Sequence, residues 1–292
     1  AGAADQVAMH RLGRGDHQPV GMLAEGMGDG GAFGLVPKTT WEKLLPCDSF
    51  NRVPMELRCL IIRTPQSTIL VDTGMGDKIT PEMAAMNNVL LSRPGGWLLD
   101  SMATHGISPN DVDIVLLTHL HSDHSGGSTR VINGDLVPTF PKARYWVQER
   151  EWADAHAPNE RTRGTYFSFN YDPLKQAGQL HLLNGNSQVS QGVRLVTAPG
   201  HTKGLQTVVI ESGGQTAVFL GDVAFLHWQI EKLAWTAAYD IDPNTNIETK
   251  RIWQKWLVER QAFIIFQHDP IIIAGKLIMQ NNRYKVVAVL NA

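Results

Sequence analysis

A chain of 292 residues, 43% hydrophobic and with a formal net charge of −2, is long enough for one large domain or two small ones. No basic block offers a nucleic-acid surface and no acidic run offers a solvating tail. Apolar runs such as those at 263–266 and 271–274 are far too short to cross a bilayer.

Residues 1–40 are rich in glycine and methionine without a sustained period, and residues 1–50 are expected to pack as an extension on a single domain of residues 1–292. Gly26, Gly28 and Gly31 satisfy a G-x-G-x-x-G spacing, but no β-branched strand precedes it and no helix start follows, so a loop is predicted. Two cysteines, Cys47 and Cys59, are too few for a disulfide framework and read as free thiols. A cytoplasmic protein is expected; because residue 1 is not Met, a removed leader and a periplasmic or secreted location stay open.

Strands are predicted at 57–63 and 68–72, joined by the turn Thr64-Pro65-Gln66-Ser67. The second ends in Asp72-Thr73-Gly74, where the carboxylate either caps local backbone N–H groups or orients a ligand histidine from behind. Residues 81–105 read as two helices broken at Pro94-Gly95-Gly96, with Leu98, Leu99, Met102 and Ala103 on one face. Ser108-Pro109 signals a short helical start before a buried strand at 114–117.

That strand runs into Thr118-His119-Leu120-His121-Ser122-Asp123-His124-Ser125-Gly126-Gly127. On an extended backbone His119 and His121 share a side, and a turn after His121 brings Asp123 and His124 to the same point from another direction. Imidazole nitrogen and carboxylate oxygen are ligands that zinc and similar divalent metals prefer. Gly126 and Gly127 let the backbone pass close beneath the cluster.

Further strands are predicted at 143–148, 193–197, 205–211, 216–220, 263–267 and 284–290, with helices from Glu149 and from a capping box at Thr245-Asn246-Ile247-Glu248. The second helix is expected to bury Ile252, Trp253, Trp256 and Leu257. The aromatic stretch 158–173 reads as a loop that either packs on the core or faces substrate. Pro199-Gly200-His201-Thr202, Gly221-Asp222 and His268-Asp269 each close a predicted strand. Hairpins mixed with helices suggest two sheets flanked by helices rather than one doubly wound sheet. Five histidines and two carboxylates at strand ends exceed what one tetrahedral ion needs, which argues for two metals, with Asp222 chemically suited to bridge them.

His119-Leu-His121-Ser-Asp123-His124, with Pro199-Gly200-His201-Thr202, Gly221-Asp222, His268 and the upstream Asp72-Thr73-Gly74, resembles the metallo-β-lactamase superfamily over about residues 55–270. The resemblance implies an αββα sandwich with two metals, His119, His121 and His201 on the first, Asp123, His124 and His268 on the second, and Asp222 between them. Zinc is the expected metal, with iron, manganese and cobalt as alternatives. Within the superfamily the chain is most similar to the bacterial lactonase and organophosphate-hydrolase branch. It departs from that pattern in several places. Neither cysteine is placed as a ligand, Phe225 stands where acyl-homoserine lactonases carry a tyrosine, Lys203-Gly204-Leu205 lacks a second histidine, and a C-terminal glutathione-binding region is not expected.

These readings predict a binuclear hydrolase in which hydroxide held between two ions attacks a lactone or related carboxylic ester. A phosphotriesterase with an apolar pocket is the alternative, and a non-catalytic binding protein a third, which the full ligand set argues against. Asp123 and Asp222 are the candidate catalytic carboxylates, and Asp72 and Thr118 are expected behind the ligands. Phe225, His227, Trp228 and Tyr239 are candidate pocket residues, with Tyr239 or His227 replacing the missing tyrosine. His10, His17, His105, His156 and His181 are expected outside the site, and Trp146, Trp152 and Trp235 in the core. A small-molecule substrate is expected, with neither nucleic acid nor membrane as partner, and the first forty residues suit a homodimer contact. If Asp123 manages the proton, Asp123→Asn should lose hydrolysis while metal content, measured by elemental analysis, stays near that of the parent protein.

Overall fold

The computed structural model describes residues 30–85 and 98–292 in full, together with the backbone of segments 8–10, 22–25 and 90–91 and of Met86. Most of the glycine motif at 26–31, the break at 94–96, His17 and the side chain of His10 lie outside the described residues.

Two sheets stack face to face. The first runs in the order Ala8–His10, Leu60–Arg63, Thr68–Val71, Ile114–Leu116, Arg144–Gln148 and Leu180–Leu183. Its first three strands pair antiparallel and the remaining pairings are parallel. The second sheet runs Ser187–Ser190, Val193–Thr197, Gln206–Ser212, Gln215–Phe219, Phe263–Ile265, Ile272–Gln280 and Arg283–Asn291. Here Gln215–Phe219 and Phe263–Ile265 pair parallel, and the other neighbours antiparallel.

Side chains that alternate from face to face along each strand build the layers. Leu60, Ile62, Ile69, Val71 and Leu116 of the first sheet meet Leu195, Val208, Ile210 and Phe219 of the second. The intervening Ile61, Leu70 and Val115 face outward onto Met102 and Ala155 of the helices Leu98–Thr104 and Glu149–His156. On the far side Val209, Val218 and Ile264 receive Trp253 and Leu257 of the helix Pro243–Arg260. The architecture is the αββα sandwich of two mixed sheets flanked by helices. Against its edge, Phe33 stacks on Trp41 at 4.8 Å, and both pack with Met55, Phe225 and Leu226. No helix among the described residues is long and apolar enough to cross a membrane.

Four local expectations are corrected. The run at 57–63 divides into Pro54–Leu57, in a small separate sheet, and Leu60–Arg63. Between them Arg58 donates from N to the Gln267 carbonyl, and its guanidinium donates to the carbonyls of Phe266 and Asp269. The helix predicted from Thr245 starts earlier, capped by Asp242, which accepts from both the N–H and the hydroxyl of Thr245, with Pro243 in its first turn. Its buried face is Asn246, Thr249, Lys250, Trp253, Gln254 and Leu257, and Ile252 is 70% exposed. The polar members of that face are not a defect: Lys250 Nζ donates to the carbonyls of Leu233 and Trp235, and Gln254 Nε2 to that of Ile230. Ala103 is also exposed, while its neighbour Met102 is buried.

The helix face can be checked by urea denaturation. Leu257→Ala should cost about 2–5 kcal/mol, whereas Ile252→Ala should stay within about 0.5 kcal/mol of the parent.

Candidate metal centre

Both sheets deliver ligand-type side chains from strand ends on one edge. His119 and His121 follow Ile114–Leu116, and Asp123 and His124 ride on the single turn Ser122–Ser125. His201 follows Val193–Thr197, Asp222 follows Gln215–Phe219, and His268 follows Phe263–Ile265. Beneath the turn the backbone passes so close that a Cβ on Gly126 would overlap the Met75 carbonyl, and one on Gly127 the Thr73 carbonyl.

The seven side chains converge in two groups. His119, His121 and His201 form one, and Asp123, His124, Asp222 and His268 the other, with the ligand atoms of each within 4.8 Å of one another. Asp222 stands between them. Its Oδ2 lies 3.7 Å from His119 Nε2, 3.2 Å from His201 Nε2 and 3.3 Å from His124 Nε2, and its Oδ1 lies 3.0 Å from His268 Nε2.

Acceptors behind the rings set the tautomers. His124 Nδ1–H donates to Asp72 Oδ2 at 2.9 Å, His201 Nδ1–H to Asp240 Oδ1 at 3.0 Å, and His268 Nδ1–H to the Glu56 carbonyl at 2.8 Å. Thr118 Oγ1 donates to Asp72 Oδ2, which leaves that oxygen as the acceptor 3.1 Å from His119 Nδ1. Four rings are thereby fixed with bare Nε2 atoms turned inward, as metal-ligating histidines require.

His124 Nε2 and His268 Nε2 then face each other at 3.3 Å. Nitrogens so close need either a proton or a metal ion between them. His119 Nε2 is buried without a hydrogen-bond partner among the described residues, and His121 turns Nδ1 to within 3.0 Å of His201 Nε2. These nitrogens, with the N/O donor set, fit divalent metal ions of the zinc type.

The protonation preferences point the same way. Burial holds His119 well below the usual imidazole range and brings His121 down to about 3. Burial opposes charge on His124 too, but the carboxylates of Asp222, Asp123 and Asp72 outweigh it and raise this ring well above its ordinary value. Asp123 is held at about 2 because the His124 ring beside it outweighs the cost of burial. The cluster therefore attracts positive charge to its centre and keeps its carboxylates ionised.

An open cleft reaches this centre. His121, Asp123, His201, Asp222 and His268 form its polar floor, and Met55, Met75, Ile79, Met83, Phe167 and Phe225 its apolar walls. Phe225 and Tyr239 both line it, stacked at 6.1 Å. His227 and Trp228 are not among the lining residues. Asp269 Oδ2 accepts from both His227 N and Nδ1 at 2.7 and 2.6 Å, which turns that ring into a structural contact, and Trp228 packs with Phe33. Asp72 accepts from Thr118 N at 2.7 Å, 46 positions away rather than in its own turn, and from His124 Nδ1 at 2.9 Å. His105, His156 and His181 stay outside the cluster, and Cys47 and Cys59 are free.

Asp240 and the Glu56 carbonyl were not predicted. Asp240 carries no spacing signal, since it lies 39 residues from the histidine it orients, and a backbone carbonyl has no sequence signature at all.

Residues 58–268 match the family described as the metallo-beta-lactamase superfamily. The chain belongs to this superfamily. An N-acyl homoserine lactonase of a Bacillus species is 25% identical over 240 residues, covering 78% of this chain and 84% of that one. A probable metal-dependent hydrolase of Staphylococcus aureus superposes with a TM-score of 0.81 at 26% identity, over 99% of both chains. The dizinc quorum-quenching lactonase AidC superposes with a TM-score of 0.74 over 98% of both chains; at 20% identity that likeness shows the fold alone. The contacts of the upstream aspartate can be tested without metal. Asp72→Ala would strand Thr118 N, Thr118 Oγ1 and His124 Nδ1, all buried, and should cost about 3 kcal/mol or more in urea denaturation, with Asp72→Asn recovering part of the loss.

Proposed function

We propose that this chain is a metal-dependent hydrolase that holds two divalent ions and opens lactones of the acyl-homoserine-lactone kind or related carboxylic esters. The observation that carries this reading is the meeting of two histidine–aspartate groups at Asp222, on the floor of an apolar-walled cleft. In this reading His119, His121 and His201 hold one ion, Asp123, His124 and His268 the other, and Asp222 serves both. Zinc suits the donors best, and iron, manganese or cobalt fit the same set. Bound there, the ions would supply Lewis acidity, activating water near neutral pH and polarising the scissile carbonyl.

The chain's own groups do the rest. Asp72, Asp240 and the Glu56 carbonyl keep the rings aimed. Asp123, at the cleft floor, would take up a proton and pass it to the leaving alkoxide. Met55, Met75, Ile79, Met83 and Phe167 give an acyl chain an apolar bed that excludes water. Tyr239 is the phenol in the lining, and it takes the place of a donor at Phe225. We read the whole chain as one domain, with residues 30–50 as an extension that supports the wall at Phe225.

Phe225 also favours a second reading. Its ring lies 5.3 Å from both His201 and His268 and offers a carbonyl no hydrogen bond, which suits a phosphotriester with an aryl leaving group.

A panel of acyl-homoserine lactones, aryl esters and alkyl aryl phosphotriesters separates the two. Two metal equivalents per chain, hydrolysis lost on chelation and restored by Zn²⁺, and the highest kcat/KM on lactones or esters are expected. Asp222→Ala should weaken metal binding at least about tenfold and lower hydrolysis with it. A preference for phosphotriesters would favour the second reading, and a chain that takes up no metal would sink both.

A further inference from the structure

Glu151, on the helix Glu149–His156, is wholly buried and is no member of either histidine–aspartate group. Its Oε1 accepts from Leu120 N at 3.0 Å and from the Tyr166 hydroxyl at 2.9 Å, and its Oε2 from the Thr202 hydroxyl at 2.6 Å. Each donor adjoins the first group. Leu120 lies between His119 and His121, Thr202 follows His201, and the Tyr166 ring packs on His121 at 4.8 Å.

The two loops so joined leave different sheets, and His121 and His201 are 80 residues apart. Gly204 brings the second loop against the helix, where a Cβ would overlap Glu151's own backbone. A carboxylate, acceptor-only and with two oxygens, answers all three converging donors at once. The second group has its own supports in Asp72 and the Glu56 carbonyl, and no hydrogen bond joins it to Glu151 among the described residues.

We propose that Glu151 is a positioning residue that ties the His119–His121 loop to the His201 loop and so selectively sets the affinity of the three-histidine group for its ion. The inference rests on the metal-holding role proposed above.

Zn²⁺ competition titration against a chromophoric chelator, on the full chain, resolves the two affinities and tests it. The parent protein should take two equivalents. Glu151→Ala should weaken one of the two about 10–100-fold and leave the other unchanged. Glu151→Gln should recover most of the loss, because its amide oxygen still accepts and the Thr202 hydroxyl can reverse to accept from its NH₂. Should Glu151→Ala not fold, Thr202→Val, which deletes one contact and keeps the side-chain shape, should weaken the same ion about tenfold. Unchanged affinities, or a parallel fall of both with the melting temperature and no rescue by glutamine, would overturn the proposal. A parent protein that binds no Zn²⁺ would instead overturn the metal reading itself, and this inference with it.

Discussion

One buried carboxylate, Asp222, lies within 3.0–3.7 Å of four imidazole nitrogens. Without a cation this is an unfavourable arrangement, since desolvated lone pairs face each other and a charged group lies out of solvent. The four carboxylates that contact these rings, Asp72, Asp123, Asp222 and Asp240, carry a formal charge that two divalent cations would cancel. The polar interior therefore makes physical sense as a receptacle for positive charge.

The sandwich exists around that receptacle because its strands can be apolar while their ends are not. Val115, Val196, Val218 and Ile264 lie within strands, where alternation sends every side chain into one hydrophobic layer or another. Immediately beyond them the chain turns, backbone hydrogen bonds lapse, and polar side chains take over. Asp72 shows the transition in one residue. It adopts φ 54, outside any strand, while its N–H still continues the parallel ladder to the Leu116 carbonyl. Its carboxylate is thus set rigidly by the sheet that it has just left.

Rigid placement extends outward through buried polar groups that never reach the cleft. Asp240 orients His201 and accepts from Asn246 of the long helix, so the helix cap region bears on a ring at the centre. Arg58 ties the segment carrying the Glu56 carbonyl to Phe266 and Asp269, on either side of His268. Such groups belong to the site as much as the rings do, because a histidine free to rotate presents its lone pair only part of the time.

The sequence by itself determined the chemistry. His119, His121, Asp123 and His124 lie within one turn of chain, so local geometry alone brings them together, and His201, Asp222 and His268 announced themselves as polar residues closing apolar strands. It also determined the layers, since alternation in 60–71, 114–117 and 206–219 is a property of the backbone. Only the tertiary structure decided what stands behind the rings and what walls the cleft. Asp240, Glu151 and the Glu56 carbonyl act across dozens to hundreds of residues, and His227 is withdrawn from the cleft by Asp269, 42 positions away. The long helix teaches the same lesson: Lys250 and Gln254 are buried because loop carbonyls await them, whereas Ile252 is exposed. Periodicity reports the free energy of burying apolar area, but partners for a buried polar group come from wherever the chain has folded back.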